Sequence, residues 1–411
     1  MTGPMRLGFH APDNVEELAY LVAEAADTRT PIEVIGRGTK REVGRPGQGG
    51  TIVSSENLSG VSLYEPNELV LVAQAGTPLA QVEQLLADND QELPFEPVDL
   101  GSLFGFDTGQ GTFGSMFAVN LSGSRRILRG SARDHVLGVK AVNGRGEIVK
   151  AGGRVMKNVT GYDLSRALCG SWGTLAILTE VAVKVLPAQR EVHTIVCFGL
   201  SDQTAIEALC IAHGTPFEVS GSVHIHADLA KRFTDEAIAG QGAAVTAIRL
   251  ENFPAAARYR ANRLRQMLLA YAPSLDLDTK QSHFFWHEVR TLKPFQRSGL
   301  PLWRISTTPS SASKLIGSVA RKIEVKPLYD WSGGLIWLET PPLTDAGAVE
   351  IRRTLAEIGG HATLIRAEAE ARSVIDVFQP LDPPLMALTA SLKQAFDPVG
   401  ILNPGRMYEG I

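Results

Sequence analysis

The 40 glycines of this chain are crowded toward its first half, between Gly36 and Gly173, and that crowding restricts the fold more than any other feature. Glycine supplies positive φ and lets a backbone approach a ligand closely. Three runs carry it. Gly36, Arg37, Gly38, Thr39 and Lys40 directly follow a short buried strand at 32–35. Successive N–H groups in such a loop can form an anion-binding nest, with Arg37 or Lys40 adding charge. Residues 111–126 include Thr112, Gly114, Ser115, Asn120, Gly123 and Ser124, small or hydrogen-bonding groups suited to a polar cofactor. The third run covers 152–164 and continues through 170–180, with Asp163, Gly173 and Ile177. Any one of these loops reads equally well as a tight turn.

Gly109-Gln110-Gly111-Thr112-Phe113-Gly114 fits the dinucleotide pattern GxGxxG. That fingerprint needs a buried strand before it and a helix after it. Residues 101–108 alternate glycine, phenylalanine and polar types without a strand pattern, so the match is read as chance. No GxxxxGK[ST] occurs, which excludes a P-loop. The net charge of −4 gives no sign of a nucleic-acid surface. Cys169, Cys197 and Cys210 are far apart, as expected in a reducing compartment, and offer no iron–sulfur or zinc spacing. Residues 1–12 lack a basic segment followed by an apolar one, and no apolar run is long enough to span a bilayer. A cytoplasmic protein is expected, peripheral at an inner membrane only through partners.

Hydrophobic periodicity predicts a helix over 15–26, opened by Asn14 and Glu17 as a capping box. Strands follow at 32–35, 51–54 and 68–75, then a helix from Thr77-Pro78 to about 86. A hairpin is expected at 136–142 and 147–151, a helix at 161–168 and a β-branched strand at 175–186. Beyond Pro187, strands at 193–200, 218–226, 243–251, 302–307, 335–339 and 362–365 alternate with helices at 203–212, 255–269, 312–322 and 346–358. This predicts an antiparallel sheet with helices on one face, an α+β arrangement. A last helix at 384–396 leads into the terminal segment.

Together the three glycine runs closely resemble the FAD-binding domain of the vanillyl-alcohol-oxidase superfamily, the PCMH-type flavin fold. Lys157-Asn158, Gly161-Tyr162-Asp163-Leu164 and the terminal Asn403-Pro404-Gly405-Arg406 resemble its glycolate oxidase and D-lactate dehydrogenase branch. Phe285-Trp286 with Arg290, Leu302-Trp303-Arg304-Ile305-Ser306, Asp330-Trp331 and Gly359-Gly360-His361 resemble the E-subunit family of glycolate oxidase. The resemblance implies a PCMH-type FAD-binding domain at 1–187, an α+β, ferredoxin-like substrate or cap domain at 188–380, and a terminal segment, 381–411, packing back near the flavin. It implies that Gly36–Lys40 and 114–124 hold the pyrophosphate and ribityl parts. Asp163 and the backbone from Gly173 to Ile177 would line the ribityl and adenine side, and Asn403 would sit near the isoalloxazine. Some members attach flavin through a histidine in the first loop. None lies between Gly36 and Gly50, so non-covalent FAD is expected.

The catalytic sister families carry a His-x-Gly-Asp-Gly-Asn motif that is missing here. His224 and His226 would share one face of a strand, but no third ligand is evident beside them, and a surface strand is the expectation. His283 and His287 can share a helix face; no metal ligands are assigned at either place. Arg304 can pair a carboxylate bidentately or form a salt bridge. His361 can take a hydroxyl proton or make a loop hydrogen bond. The implied activity is oxidation of glycolate or a similar 2-hydroxy acid through FAD, with electrons passing to an iron–sulfur partner in a heteromeric complex. An accessory flavoprotein beside a sister catalytic flavin subunit, and a scaffold without flavin, are the alternatives.

Overall fold

The computed structural model describes residues 8–47, 50–154 and 163–411. The chain opens with β1 (Phe9–His10), α1 (Val15–Thr28), β2 (Ile32–Ile35) and β3 (Thr51–Ser54), and the three strands form a small parallel sheet. Asn14 caps α1 by accepting the Glu17 N–H at 2.8 Å. Leu18, Val22 and Ala25 bury one face of the helix against Ile32 and Val53. Burial of such a stripe, rather than propensity, supplies most of a helix's stability.

Next come β4 (Val61–Glu65), β5 (Val70–Gln74), α2 (Leu79–Ala87), the short β6 (Gln91–Glu92), α3 (Phe113–Val119), α4 (Arg126–Arg129) and α5 (Ala132–His135). They are followed by β7 (Val136–Asn143), β8 (Ile148–Gly152), α6 (Leu164–Leu168), β9 (Ala176–Lys184) and β10 (Leu186–Pro187). A five-stranded antiparallel sheet has the order β4-β5-β9-β7-β8, and β10 pairs separately with β6. Gly101–Phe104 is a 3-10 turn rather than a strand, so the context required of a dinucleotide fingerprint is missing from the GxGxxG match. The predicted strand at 68–75 begins later, because Pro66–Glu68 forms a 3-10 turn ending in a left-handed Leu69.

The rest of the chain builds β11 (Glu191–Phe198), α7 (Asp202–His213), β12 (Val219–Ile225), α8 (Ala227–Ala230), α9 (Glu236–Ala239), β13 (Val245–Asn252), α10 (Pro254–Leu268), β14 (Ser274–Leu277) and α11 (Thr279–Arg290). It continues with β15 (Leu302–Ser306), α12 (Ala312–Ala320), β16 (Lys326–Asp330), β17 (Leu335–Glu339), α13 (Ala348–Ile358), β18 (His361–Arg366), α14 (Ala369–Val374) and α15 (Pro383–Phe396). The eight strands form one antiparallel sheet, ordered β14-β11-β13-β12-β16-β17-β15-β18.

Helices cover both of its faces, where the sequence reading expected one. Asp202 of α7 reaches His224, which pairs with Thr246 and through it aligns with Cys197. From α11, Trp286 donates to Thr194 Oγ1 at 2.9 Å. Thr194 and Cys197 are an odd number of residues apart on one strand, so they point to opposite faces.

After α15 the chain returns to its beginning. Ile32 N–H donates to Ile401 O at 2.7 Å, and Asn403 N–H donates to Ile32 O at 2.9 Å. Ile401 and Leu402 thereby complete the core beneath α1. No helix among the described residues is long and apolar enough to cross a membrane.

Candidate functional site

A cleft lies where β2 enters its glycine loop, beside α3 and the turn before β9. It is lined by Gly36, Arg37, Gly38, Thr39 and Lys40, by Thr112, Gly114 and Ser115, by Trp172, Gly173 and Ile177, and by Arg406. Two of the three glycine runs therefore meet here with the end of the third. Close packing explains the glycines: a Cβ on Gly36 would stand 2.5 Å from Thr112 Oγ1, and one on Gly114 would stand 2.5 Å from Ala75 Cβ.

Among the described residues, none of the backbone N–H groups from Gly36 to Lys40 donates a hydrogen bond. Such a run of free donors can form an anion nest. Among the described residues Lys40 Nζ reaches only Ser115 Oγ at 3.4 Å and Thr39 Oγ1 at 3.5 Å, and burial pushes its pKa down against the pull of Asp99. Arg406 donates from Nη2 to Lys40 O at 2.9 Å and lies over the Trp172 ring at 5.6 Å. Its Nε is buried without a partner, and burial pushes its pKa down to about 10. Two under-partnered cations beside free N–H groups fit the pyrophosphate of FAD.

The remaining residues expected at the cofactor lie behind the cleft or away from it. Asn403, at φ 42°, accepts the Val34 N–H at Oδ1 and donates from Nδ2 to Trp172 O, both at 2.8 Å. Its amide braces β2 against the Trp172–Gly173 turn. Asn120 ends α3 in the left-handed region and accepts the Arg133 N–H at 3.2 Å. Asp163 caps α6 through the Arg166 N–H. Gly123 N–H donates to Glu96 O, and Ser124 Oγ donates to Asp330 Oδ2 at 2.8 Å. Lys157, Asn158, Gly161 and Tyr162 lie outside the described residues.

Asp330 and Trp331 bring the eight-stranded sheet against the segment at 123–126. Trp331 Nε1 donates to Gly123 O at 2.9 Å, and the guanidinium groups of Arg126 and Arg304 lie 5.4 and 5.2 Å from the Trp331 ring centre. Burial pushes the Asp330 carboxyl up to about 7, against hydrogen bonds from Ser124 and the Trp331 N–H. Arg304 Nε is buried without a hydrogen-bond partner, and no carboxylate among the described residues forms an ion pair with the group. Burial, with repulsion from Arg126, pushes its pKa down to about 10. His361 pairs with Ser306, two residues along β15 from Arg304, on the same sheet face. Burial, with the nearby Arg304 and Arg352, pushes its pKa down.

Residues 7–152 match the FAD binding domain family. Over 397 residues the chain is 34% identical to "Glycolate oxidase subunit GlcE" of Escherichia coli (strain K12), covering 96% of this chain and 98% of that one. The chain belongs to the GlcE family of glycolate oxidase subunits. It is also 31% identical to a D-lactate dehydrogenase of Archaeoglobus fulgidus over 181 residues, 44% of this chain and 39% of that one. A solved p-cresol methylhydroxylase with substrate bound shares the fold at TM-score 0.72 and 15% identity, over 98% of this chain and 88% of its own. The 4-ethylphenol oxidase of Gulosibacter chungangensis does so at 0.71 and 15%, over 100% and 91%. The GlcE-family chain thus has a PCMH-type α+β fold, takes FAD as cofactor and is an FAD-dependent oxidoreductase.

Sequence reasoning missed several residues of this GlcE-family site. In the sequence Arg406 stands out only within the terminal motif, and Trp172, inside the run at 170–180, carries no signal of its own. The juxtaposition of Asp330, Arg126 and Arg304 around Trp331 had no sequence signal, because 204 positions separate Arg126 from Asp330.

Proposed function

We propose that the chain binds FAD non-covalently in this cleft and oxidises glycolate, or a similarly short 2-hydroxy acid, to the corresponding 2-oxo acid. Gly36 to Lys40 with Ser115 and Arg406 would hold the pyrophosphate, with Thr112, Gly114, Gly173 and Ile177 close to the rest of the cofactor. Residues 1–187 would act as the FAD-binding domain, 188–380 as the substrate or cap domain, and 381–411 as the returning terminal segment.

One observation carries the substrate reading: Arg304, whose buried Nε has no hydrogen-bond partner and whose guanidinium forms no ion pair with a carboxylate among the described residues. A substrate carboxylate is the planar, charged acceptor that such a group binds best. His361, whose pKa its surroundings lower, would take the hydroxyl proton. FAD, when bound, supplies the acceptor for the C2 hydride. Residues 123–126 and Trp331 would keep water from the reacting centre.

The three cysteines are free and provide no cluster ligands in common, so electrons would leave to an iron–sulfur partner. The exposed Leu385, Leu388 and Leu392 of α15 suit burial against another subunit. A second reading is an accessory flavoprotein beside a sister catalytic flavin subunit. It is favoured by the fact that neither Arg304 nor His361 lines the cleft.

Anaerobic glycolate added to the purified FAD-loaded chain separates the two readings. Bleaching of the flavin band, slowed at least about a hundredfold in Arg304→Met with FAD retained, is the expected result. A flavin that stays oxidised until the sister subunit is added would overturn independent catalysis and leave the accessory role standing.

A further inference from the structure

On the other face of the eight-stranded sheet from Asp330, a group of polar side chains meets that the oxidation does not use. Alternation along β12 puts His224 and His226 on one face, with ring centres 6.1 Å apart. Pairing of β12 with β16 sets Tyr329 beside His224. Asp202, at the start of α7, completes the group. Its Oδ1 lies 2.7 Å from His226 Nε2 and 3.3 Å from His224 Nε2. One ligand atom from each of these three residues falls within 4.8 Å of the others.

The third vertex corrects the sequence reading on two points. No third ligand is evident beside the histidines in the sequence, and Asp228, four residues after His224, is exposed and lies 3.5 Å from Lys231. The acid that closes the site comes from another element, 22 positions before His224. Nor is the strand a surface strand, since His224 is fully buried.

The geometry points to a divalent metal site of the zinc class, with Asp202, His224 and His226 as protein ligands and water at the remaining position. Bonds of about 2.0–2.1 Å in a tetrahedral zinc site set donor atoms roughly 3.3 Å apart, so small side-chain rotations suffice. Mixed imidazole and carboxylate donors suit zinc, cobalt or nickel rather than calcium.

Two further features are those of a built site. Thr246 Oγ1 holds His224 Nδ1 at 2.8 Å, and the Tyr329 hydroxyl donates to Asp202 Oδ2 at 2.5 Å, which leaves Oδ1 for the ion. Such outer partners orient ligands and tune affinity. Asp202 and His226 keep 25% and 34% of their side chains exposed, which gives an entry path. Because Tyr329 and Asp330 are consecutive on β16, the site and the Arg304 face are on opposite sides of the sheet. The ion would pin α7 to β12 and β16 and take no part in hydride transfer.

The test uses the full FAD-loaded chain, stripped with chelator and titrated with zinc by calorimetry and with cobalt by visible absorption. One ion per chain and a raised unfolding temperature are expected. His226→Gln and Asp202→Asn should weaken binding at least tenfold, and His283→Gln, on the other face, should leave it unchanged. His226→Gln, at a partly exposed position, should melt like the wild type without metal, so lost binding is not lost folding. Absence of saturable binding by the wild type, or unchanged affinity in His226→Gln, would overturn the site.

Discussion

Lys393 and Asp397 form a buried ion pair at 2.7 Å one turn apart at the end of α15, and through it the terminal segment is tied to the cleft lined by Gly36–Lys40. Lys393 Nζ also donates to Thr174 O and Leu402 O, each at 2.8 Å. Asp397 accepts the N–H groups of Gly400, Ile401 and Leu402. Thr174 follows the glycine that lines the cleft, and Leu402 precedes the asparagine that braces it.

Replacing Lys393 with Met would leave the Asp397 carboxylate buried beside backbone donors only. Removal of one partner of a buried pair costs about 3–5 kcal/mol. Urea denaturation of Lys393→Met should show that loss, and the purified variant should retain less FAD than the wild type. Full stability with full flavin content would refute the bracing role.

Gly114→Ala tests close packing behind the cleft. The added Cβ would meet Ala75 Cβ at 2.5 Å and Ala75 Cα and O at 3.0 Å. Backbone must then shift, at about 1–3 kcal/mol. A lowered melting temperature and weaker FAD binding, measured by flavin release on dilution, are expected.

Arg125 lies between the two large sheets. It pairs with Glu251 at 2.6 Å and Glu92 at 3.0 Å, while Arg249 pairs with Glu96 at 3.1 Å. Despite burial, Glu251 is held well below the usual carboxylate range by Arg249 and Arg125. Arg125→Met should cost about 3–5 kcal/mol by stranding buried carboxylates. Because the network is buried, wild-type stability should change little between low and moderate salt. A strong salt dependence would contradict this.

Asp330 should make stability pH-dependent. Its carboxyl is pushed up from 3.8 to about 7 by burial, so the native state holds a proton that the unfolded chain releases. The resulting stabilisation is complete below about pH 4 and is lost as pH rises through about 7. The shift corresponds to roughly 4 kcal/mol at most. Melting curves of Asp330→Asn should therefore gain on the wild type between pH 4 and 7, with the difference levelling off above. A pH-independent difference would exclude a raised carboxyl.

Local signals made parts of this structure legible. The N-cap at Asn14, the buried run at 32–35 and the glycines at 36 and 38 each act within a few residues; the capping box expected there is incomplete, because the Glu17 carboxylate accepts the Asp13 N–H instead of that of Asn14. Other elements escaped for identifiable reasons. β16 carries Pro327 inside a short strand, against the usual preference. α11 has mean polarity high enough to hide its apolar face, although Asp278 and Gln281 form a capping box at its start.

The sequence by itself placed the glycine loop directly after the buried strand at 32–35, and its resemblance to a flavin fold implied the return of the Asn403-Pro404-Gly405-Arg406 segment. Those features depend on backbone conformation and on motifs read within one stretch of chain. Tertiary structure alone decided which side chains share a site. Asp202 meets His224 and His226 because α7 packs on β12, and Asp330 meets Ser124 because the eight-stranded sheet closes on the FAD-binding region. Contacts of that kind follow from the packing of whole faces, which no local spacing in the sequence encodes.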